Sequence, residues 1–383
     1  MAGSPLLPTE LNLSGERLTA EYLVSGDEAR AETVVRQLVV EQTIEFPPEL
    51  VPDDDIKRHI VGHVVSKKAL GNDQHAVRIS FATEIVGSQL PQLINVLFGN
   101  ISMVPGVRLI DIALPSSLLS TFEGPRNGID GLRSRFDRPF GPLLGTALKP
   151  MGTPVDRLAD MAYQLAMGGI QLIKDDHSFA TQPFAEFEHR VPILSDAVAR
   201  ANAEGADAVY LPALNLPMDR LREAAEFAIE HGAGGLLVLP GVFGHDTMRW
   251  LAEMTPSEVI IMAHPSMLGS LVGEPSRGIA HHVVFGTLAR LAGADVSIFP
   301  NHGGRFSFHP DDCVAVARAC REPLDGLGTA WPAPAGGMSV ERVEEMIDFY
   351  GEDVCLLIGG DLYRGDIGTQ VGRMVEAIGV GER

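Results

Sequence analysis

The sequence predicts an α/β protein in two parts, a small α+β domain of the ferredoxin-like type followed by a (β/α)8 TIM barrel. The first observation is a rhythm: from about residue 140, short apolar strands alternate with amphipathic helices at spacings of roughly 25 to 40 residues. The second is length, because 383 residues exceed one ordinary domain and suit a barrel with a smaller companion. We therefore place the amino-terminal domain at residues 1–135 and the barrel at residues 136–383.

Eight short apolar segments of the second part predict the barrel strands. They are Leu143–Leu148, Ile170–Lys174, Ala208–Leu211, Gly235–Leu239, Val259–Ala263, Val296–Phe299, Gly328–Trp331 and Val354–Ile358. Helical segments such as Pro154–Met167 and Met218–Glu230 lie between them, with apolar residues at three- and four-residue steps. In such a barrel the catalytic side chains lie at the carboxyl ends of the strands. The residues that follow each strand are therefore the first candidates for a site.

The first part has a different pattern. Strand-like runs at Leu18–Leu23, His75–Phe81 and Val107–Ala113 alternate with helical runs at Asp27–Val40 and Leu90–Phe98. This mixture predicts a small α+β sandwich.

Composition restricts the partners and the location that we expect. The longest apolar runs fall well short of the roughly 20 residues of a membrane span, so we expect no membrane partner. The first residues lack the basic and apolar regions of a signal peptide, and three cysteines without paired metal spacing indicate reduced thiols. Both features predict a cytoplasmic protein. A net charge of -20 argues against nucleic acid, although a local cluster of cations can still bind an anionic substrate.

The most informative segment is the end of the second predicted barrel strand. After Ile173 the chain runs Lys174, Asp175, Asp176 and His177, and the preceding strand also ends on a lysine, Lys149. Ionisable groups at the tip of a buried strand are costly unless they share a function. We therefore expect the active site here.

A glycine-rich loop follows the sixth strand, with Gly303, Gly304 and Arg305 in sequence. Glycines let backbone N–H groups approach an anion, and an arginine can bind phosphate through two hydrogen bonds. This loop is a candidate phosphate-binding site.

Several segments resemble the RuBisCO superfamily, and together they extend over most of the chain. They are Phe98-Gly99-Asn100, Leu118–Gly124, Gly128-Ile129, Gly168-Gly169 before Lys174-Asp175-Asp176, Gln182-Pro183-Phe184, Ala335-Gly336-Gly337 and Ile358-Gly359-Gly360. The resemblance implies that Gly336, Gly337, Gly359 and Gly360, at the ends of the last two strands, bind a substrate phosphate.

The resemblance also implies a metal centre. In the family, the lysine that matches Lys174 reacts with CO2 to form a carbamate, and a pKa lowered by burial would favour this because the neutral amine is the nucleophile. The carbamate, Asp176 and residue 177 then hold Mg²⁺, which polarises a substrate carbonyl and stabilises the enediolate formed when a neighbouring C–H loses its proton. The carboxylases have glutamate where this chain has His177. Imidazole suits softer ions than Mg²⁺. His177 therefore either ligates a softer divalent metal, or it lies farther away and acts as an acid/base or as a ligand to water. We expect it to stay near the metal.

Further roles come with the resemblance. Lys149 matches the family lysine at the end of the first strand and is the candidate for proton transfer. His264, which ends the fifth strand, matches an active-site histidine. Glu41 and Asn100 match residues of the amino-terminal domain that complete the active site of a second subunit, which implies a homodimer with shared sites, or a larger assembly of such dimers.

The sequence departs from the carboxylases at several positions. Met151 and Ala335 stand where carboxylases have a lysine and a serine, and Pro265 and Leu268 replace polar residues around the histidine. The lysine that fixes CO2 in the loop after strand six has no clear counterpart. The chain therefore resembles a form IV RuBisCO-like protein and not a CO2-fixing carboxylase.

Three functions remain open on the sequence. The leading one is a metal-dependent enzyme that enolises a phosphorylated ketose or keto sugar acid, with an isomerase of the methylthioribulose-phosphate type preferred. A decarboxylase of a branched β-keto sugar acid phosphate, of the 3-oxo-isoapionate-4-phosphate type, passes through the same intermediate. A catalytically silent scaffold or regulator would keep the fold and lose the chemistry.

Overall fold

The computed structural model describes residues 10–51, 53–306 and 308–379. The first five residues, on which the expectation about a signal peptide depends, lie outside these ranges. The protein divides into two compact units. One contains the described residues through Phe122 together with Leu268–Val284, and the other contains Glu123–Met267 and the described residues from Phe285 onward.

This division differs from a single boundary at residue 135, and packing explains the difference. The helix Gly128–Arg135 places Ile129 and Leu132 in the same apolar core as the barrel strands. The short strand Gly278–Ile279 pairs with a strand of the amino-terminal sheet and so joins that unit, although it lies far along the chain.

The amino-terminal unit contains a five-stranded sheet. Its main strands are β1 (Arg17–Ser25), β2 (His63–Gly71), β3 (Gln74–Ala82) and β4 (Val107–Ala113). The order is Gly278–Ile279, β4, β1, β3, β2, antiparallel except where the short strand pairs with β4. Strand β2 was not predicted, because it is an edge strand with almost every residue exposed and therefore lacks an alternating apolar pattern.

Two helices of this unit match the prediction closely. Glu28–Glu41 begins after Asp27, whose side chain accepts a hydrogen bond from the Arg30 N–H, and Leu90–Phe98 has the predicted bounds. The remaining helices and turns are shorter. They are Pro48–Leu50, Ile56–Ile60, Thr83–Ile85, Asn100–Met103, Ser116–Leu119 and Gly269–Val272.

The second unit contains eight parallel strands in the order of a (β/α)8 barrel. They are β5 (Leu143–Leu148), β6 (Leu172–Asp175), β7 (Val209–Leu211), β8 (Gly235–Val238), β9 (Ile260–Ala263), β10 (Val296–Pro300), β11 (Trp331–Ala335) and β12 (Cys355–Leu357). Hydrogen bonding orders them as β12-β5-β6-β7 and β8-β9-β10-β11. A parallel bridge between Ala213 and Leu237 continues the ladder from β7 to β8, and β11 contacts β12. The α/β class and the order of the two parts are confirmed.

One helix precedes β5, and the others follow the strands. They are Gly128–Arg135, Val155–Met167, Phe187–Ala203, Leu221–Glu230, Pro240–Phe243, His245–Met254, Ala289–Leu291, Pro310–Arg321, Val343–Tyr350 and Ile367–Ala377, with turns at Met218–Arg220, Val283–Leu288, Val340–Arg342 and Gly360–Tyr363. In Val155–Met167 the buried residues Leu158, Ala162 and Leu165 recur at three- and four-residue steps, which gives the helix one apolar face toward the strands.

The seventh strand lies later in the chain than predicted. The prediction placed it at Gly328–Trp331, whereas β11 is Trp331–Ala335. Its sequence contains Pro332 and Pro334, which have no N–H to donate and which argue against a strand in ordinary circumstances. The Trp331 N–H donates to the Asp295 carbonyl and the Asn301 N–H to the Ala335 carbonyl, so the alternate residues bond to β10 and the two prolines fall on the side toward β12.

Among the described residues, no helix combines the length and the apolar character needed to cross a bilayer.

Candidate active site

Strand β6 places Lys174 in the interior of the barrel unit. The residue is only 2 % exposed, and its Nζ donates to the backbone carbonyl of Asp175 at 3.1 Å. Burial lowers the pKa of Lys174 to about 8, against the opposing influence of the Asp176 carboxylate. Lys174 therefore gives up its proton more easily than an exposed lysine.

Asp176 is held at the strand ends by several side-chain hydrogen bonds. Its carboxylate accepts hydrogen bonds from Lys149 Nζ, at the end of β5, and from the Ser178 hydroxyl at 2.6 Å. It also lies 3.1 Å from His177 Nδ1. Burial alone would raise the pKa of Asp176, but the hydrogen bonds from His177, Lys149 and Ser178 outweigh it and hold this pKa far below its usual range. Asp176 is therefore ionised at neutral pH.

Two histidines from different strands stack in the same place. The rings of His177, after β6, and His264, after β9, are 4.3 Å apart between centroids and inclined by 9°. His264 Nδ1 accepts a hydrogen bond from the Ser266 N–H at 3.2 Å, so the neutral ring carries its proton on Nε2. Burial, together with nearby Lys174 and His177, lowers the pKa of His264 well below its ordinary value. His264 is thus a neutral hydrogen-bond donor at physiological pH.

The structure brings five predicted site residues together: Lys149, Lys174, Asp176, His177 and His264. Among the described residues, no group of three or more histidine, cysteine, aspartate or glutamate side chains could hold a metal ion. One carboxylate and one imidazole are too few for a tightly bound divalent ion. A carbamate on Lys174 would add the missing anionic oxygen, so these donors fit a divalent metal when that lysine is carbamylated.

The glycine loops after β10 and β11 contact each other through their backbones. A Cβ atom on Gly304 would lie 2.0 Å from the Gly336 carbonyl oxygen, and one on Gly337 would lie 2.5 Å from Gly304 Cα. Gly336 and Gly337 also have φ angles of 74° and 97°, which favour glycine. Larger residues at Gly304 or Gly337 would force the two loops apart.

Cations flank these loops. Arg305 is exposed, and its guanidinium lies 4.8 Å from the centre of the Phe306 ring. Arg342, which sequence reasoning missed, has Nη1 3.4 Å from the Gly337 carbonyl oxygen. It also forms an ion pair with Glu345 at 2.8 Å, so its charge is partly neutralised in this arrangement.

The second glycine pair follows β12 and lies beside the lysine cluster. A Cβ atom on Gly359 would be 3.7 Å from Lys149 Cε, whereas one on Gly360 would meet open space. The structure therefore places Gly359 next to a predicted catalytic residue.

Glu41 and Asn100 belong to the amino-terminal unit, and a buried glutamine connects the segments that carry them. Gln42 Nε2 donates to the carbonyls of Asn95 and Val96, and its Oε1 accepts from the Ile101 N–H at 2.9 Å. These bonds hold the end of the helix Glu28–Glu41 against the turn that starts at Asn100. Glu41 is exposed and Asn100 half-buried.

Sequence reasoning missed the buried partners of Asp175, which are Arg190 and Tyr210. One signal for Arg190 was available. It lies among Phe187, Val191 and Leu194 on the apolar face of its helix, where an arginine requires a buried partner.

The chain is similar to known proteins over most of its length. The model of the RuBisCO large chain catalytic domain matches residues 128–380. A protein of Rhodospirillum rubrum named 5-methylthioribulose-1-phosphate isomerase is 42 % identical over 349 residues, which cover 91 % of each chain. A Bacillus pumilus protein named 2,3-diketo-5-methylthiopentyl-1-phosphate enolase is 31 % identical over 306 residues, which cover 77 % of this chain and 74 % of that one.

The fold agrees as well. The crystal structure of a RuBisCO-like protein from Rhodopseudomonas palustris superimposes with a TM-score of 0.85 at 36 % identity, covering 96 % of this chain and 99 % of that one. With the domain match and the full-length relatives, this similarity shows that the chain belongs to the RuBisCO large-chain family, among its RuBisCO-like proteins.

Proposed function

We propose that this protein is an enolising isomerase of a phosphorylated ketose, with 5-methylthioribulose 1-phosphate as its substrate, and that it does not fix CO2. The observation that carries the proposal is the cluster of Lys149, Lys174, Asp176, His177 and His264 at the strand ends. It combines a buried amine of lowered pKa with an ionised carboxylate and a neutral imidazole. The Rhodospirillum relative, whose name states this reaction, aligns over nearly the whole chain.

Lys174 as a carbamate, Asp176 and His177 would hold the divalent ion, Mg²⁺ or a softer metal. A bound divalent ion supplies positive charge that stabilises the negative charge developing on a carbonyl oxygen when the adjacent carbon loses a proton.

Lys149 is the proton carrier in this proposal. Its Nζ reaches the Asp176 carboxylate, and it lies one strand away from the buried amine of Lys174. The neutral amine of a lysine can accept a proton from carbon and return it to a neighbouring carbon. This transfer makes an isomer with the same atoms as the substrate.

His264 and the glycine loops orient the substrate. The Nε2–H of neutral His264 can donate to a hydroxyl or carbonyl oxygen of the sugar. The loops at Gly303-Gly304, Gly336-Gly337 and Gly359-Gly360, with Arg305 beside them, would bind the phosphate. Binding energy at the phosphate then helps to hold the reacting carbons beside Lys149. Glu41 and Asn100 complete the site of a second copy of the chain in a homodimer.

The test is proton NMR in D2O with 5-methylthioribulose 1-phosphate, Mg²⁺ and bicarbonate. We expect an isomer that carries deuterium on carbon and no release of CO2. A parallel reaction of ribulose 1,5-bisphosphate with labelled bicarbonate should incorporate no label, because Met151 and Ala335 replace residues that carboxylases use. No exchange of any carbon-bound proton, or label in a product, would contradict the proposal. Turnover of 2,3-diketo-5-methylthiopentyl 1-phosphate alone would replace the isomerase with an enolase.

A further inference from the structure

Asp175 stands between Lys174 and Asp176 and has a separate set of partners. Its Oδ2 accepts hydrogen bonds from Arg190 Nε at 3.2 Å and Nη2 at 3.1 Å, and from the Ala213 N–H at 3.0 Å. Its Oδ1 accepts from the Tyr210 hydroxyl at 2.8 Å. The side chains of Asp175 and Arg190 are both completely buried, so this ion pair is shielded from water and salt.

Arg190 uses its remaining donors on the loop that follows β6. Its Nη1 donates to the carbonyl of Ala180 at 3.0 Å and to that of Ala185. The guanidinium also lies 4.9 Å from the centre of the Phe179 ring. One buried arginine thus connects Asp175 to both halves of the loop that begins with His177.

A second connection holds this loop from the neighbouring strand. Asn215, four residues after β7, donates to the carbonyls of His177 and Phe179, the latter at 2.9 Å. Tyr210 and Ala213 also belong to β7 or its extension. The carboxyl end of β6 is therefore fixed from the helix Phe187–Ala203 and from β7 together.

The geometry of a strand explains why this matters for the site. Successive side chains of a strand point to opposite faces. When Asp175 is held outward by Arg190 and Tyr210, its neighbours Lys174 and Asp176 must point to the opposite side. A rotation of this strand end would turn Asp175 toward the site and Asp176 away from it. The sequence alone does not show which of the two aspartates points to the site.

We propose that Asp175, Arg190 and Tyr210 form a positioning network that holds Lys174, Asp176 and His177 in the arrangement a divalent ion needs. Buried ion pairs often stabilise no better than well-packed apolar residues, whereas groups behind metal ligands strongly affect metal affinity. The inference depends on the metal centre of the proposed function. It concerns the assembly of that centre and not the reaction that follows.

The test uses Mn²⁺ as the probe, because its binding can be followed by electron paramagnetic resonance without substrate. Tyr210→Phe removes one hydrogen bond to Asp175 and keeps the ring. We expect this variant to bind Mn²⁺, in the presence of bicarbonate, about 10- to 100-fold more weakly than the wild type. Arg190→Met should lose more affinity than Arg190→Lys, which keeps the charge and loses only the planar fork.

Tyr22→Phe is the matched control. Tyr22 is a buried tyrosine of the amino-terminal unit whose hydroxyl donates to the Leu97 carbonyl at 2.7 Å, so this variant also loses one buried hydrogen bond. Its melting temperature should fall by a similar amount while its Mn²⁺ affinity stays unchanged. Equal affinities for Tyr210→Phe and Tyr22→Phe would overturn the inference, and so would a wild-type protein that binds no Mn²⁺. A wild type that binds Mn²⁺ and does not isomerise the sugar would overturn the proposed function alone.

Discussion

At the scale of single residues, the proposed metal site depends on the protonation of one amine. Burial lowers the pKa of Lys174 to about 8, and an amine is mostly neutral only above its pKa. The fraction of neutral Lys174 therefore rises steeply between pH 7 and 8 and levels off by pH 9. Only this neutral form can attack CO2.

We expect the rate at which CO2 creates the Mn²⁺ site to follow this fraction, because the neutral amine attacks CO2 and the product then releases a proton to become the carbamate. At constant dissolved CO2, the initial rate of CO2-dependent Mn²⁺ binding should rise roughly fivefold from pH 7 to 8 and less than twofold from pH 8 to 9. Time courses of Mn²⁺ binding at the three pH values, with CO2 and without it, measure the effect. Lys174→Ala should show no dependence on CO2. If the wild type binds Mn²⁺ equally well with and without CO2, the metal site contains no carbamate.

The sequence predicted the strand ends at which the structure gathers the candidate site residues, and it did not predict the partners of Asp175. Lys149, Lys174 and His264 could be identified because each ends an apolar strand of a repeating pattern. The partners of Asp175, however, lie 15 and 35 residues away at Arg190 and Tyr210. Only the folded packing of a helix and a neighbouring strand brings them to the carboxylate, and no local pattern records that contact.

At the scale of elements, the loops after β10 and β11 are held at backbone contact. Gly304 and Gly337 leave no room for a side chain between them, so the two loop backbones meet directly. Glycine backbones without side chains can bring their N–H groups close to a phosphate.

Gly304→Ala should separate the two loops. The added methyl group would meet the Gly336 carbonyl, which is backbone and cannot move aside without moving its loop. We expect inorganic phosphate and the phosphorylated substrate to bind at least tenfold more weakly while the circular dichroism spectrum is unchanged. Calorimetric titration measures the binding.

Gly372→Ala provides the comparison. Gly372 lies in the helix Ile367–Ala377, and a Cβ atom there meets nothing within 4 Å. The substitution should stabilise the helix by about 0.5–1 kcal/mol without altering phosphate affinity. If Gly304→Ala also leaves the affinity intact, the loop contact does not contribute to anion binding.

The helix that follows β8 contains a histidine that is buried in its neutral form. His245 is the first residue of His245–Met254, and its Nε2 has no hydrogen-bond partner among the described residues. Burial lowers its pKa to about 4. The unfolded chain therefore takes up a proton near pH 6.5, well before the folded protein does.

The stability that depends on this neutral ring should be complete above pH 6.5 and should be lost as the pH falls through 4. Urea unfolding at pH 7 and at pH 4 measures it, with a loss of up to about 3 kcal/mol assigned to this residue. His245→Leu should be less sensitive to acid than the wild type over that interval. An identical acid dependence in the two proteins would show that the ring is protonated in the folded state.

Elements with ordinary strand sequences were predicted within a few residues, and the exceptions have physical causes. Strand β2 is exposed on both faces, so no alternation of apolar residues marks it. Strand β11 contains two prolines and is accepted because its neighbour β10 pairs with the alternate residues. In both cases the neighbouring strands, and not the local sequence, determine the structure.

At the scale of the whole molecule, the candidate site residues belong to two compact units. The lysines, Asp176 and the histidines lie in the barrel unit, whereas Glu41 and Asn100 lie in the amino-terminal unit. If the second copy of a homodimer completes each site, two chains with defects in different units can together form one intact site.

Mixing Asn100→Ala protein with Lys174→Ala protein tests this arrangement. Each should be inactive alone. After subunits exchange at random, half of the dimers are mixed and each mixed dimer has one intact site, so about one quarter of the wild-type activity should return. A mixture of Lys149→Ala with Lys174→Ala should recover nothing, because both changes affect the barrel unit. No recovery in the first mixture, with subunit exchange demonstrated, would mean that each chain builds its own site.

The two prolines of β11 have a mechanical consequence for the barrel. The ring lacks two N–H donors on the side of β11 that faces β12, so the junction between these strands is softer than the junctions held by full rows of donors. The two glycine pairs flank this junction, with Gly336-Gly337 on one side and Gly359-Gly360 on the other. An anion held by both pairs would bridge this junction and stiffen it, so that phosphate binding would supply the connection between β11 and β12 that the missing N–H donors cannot.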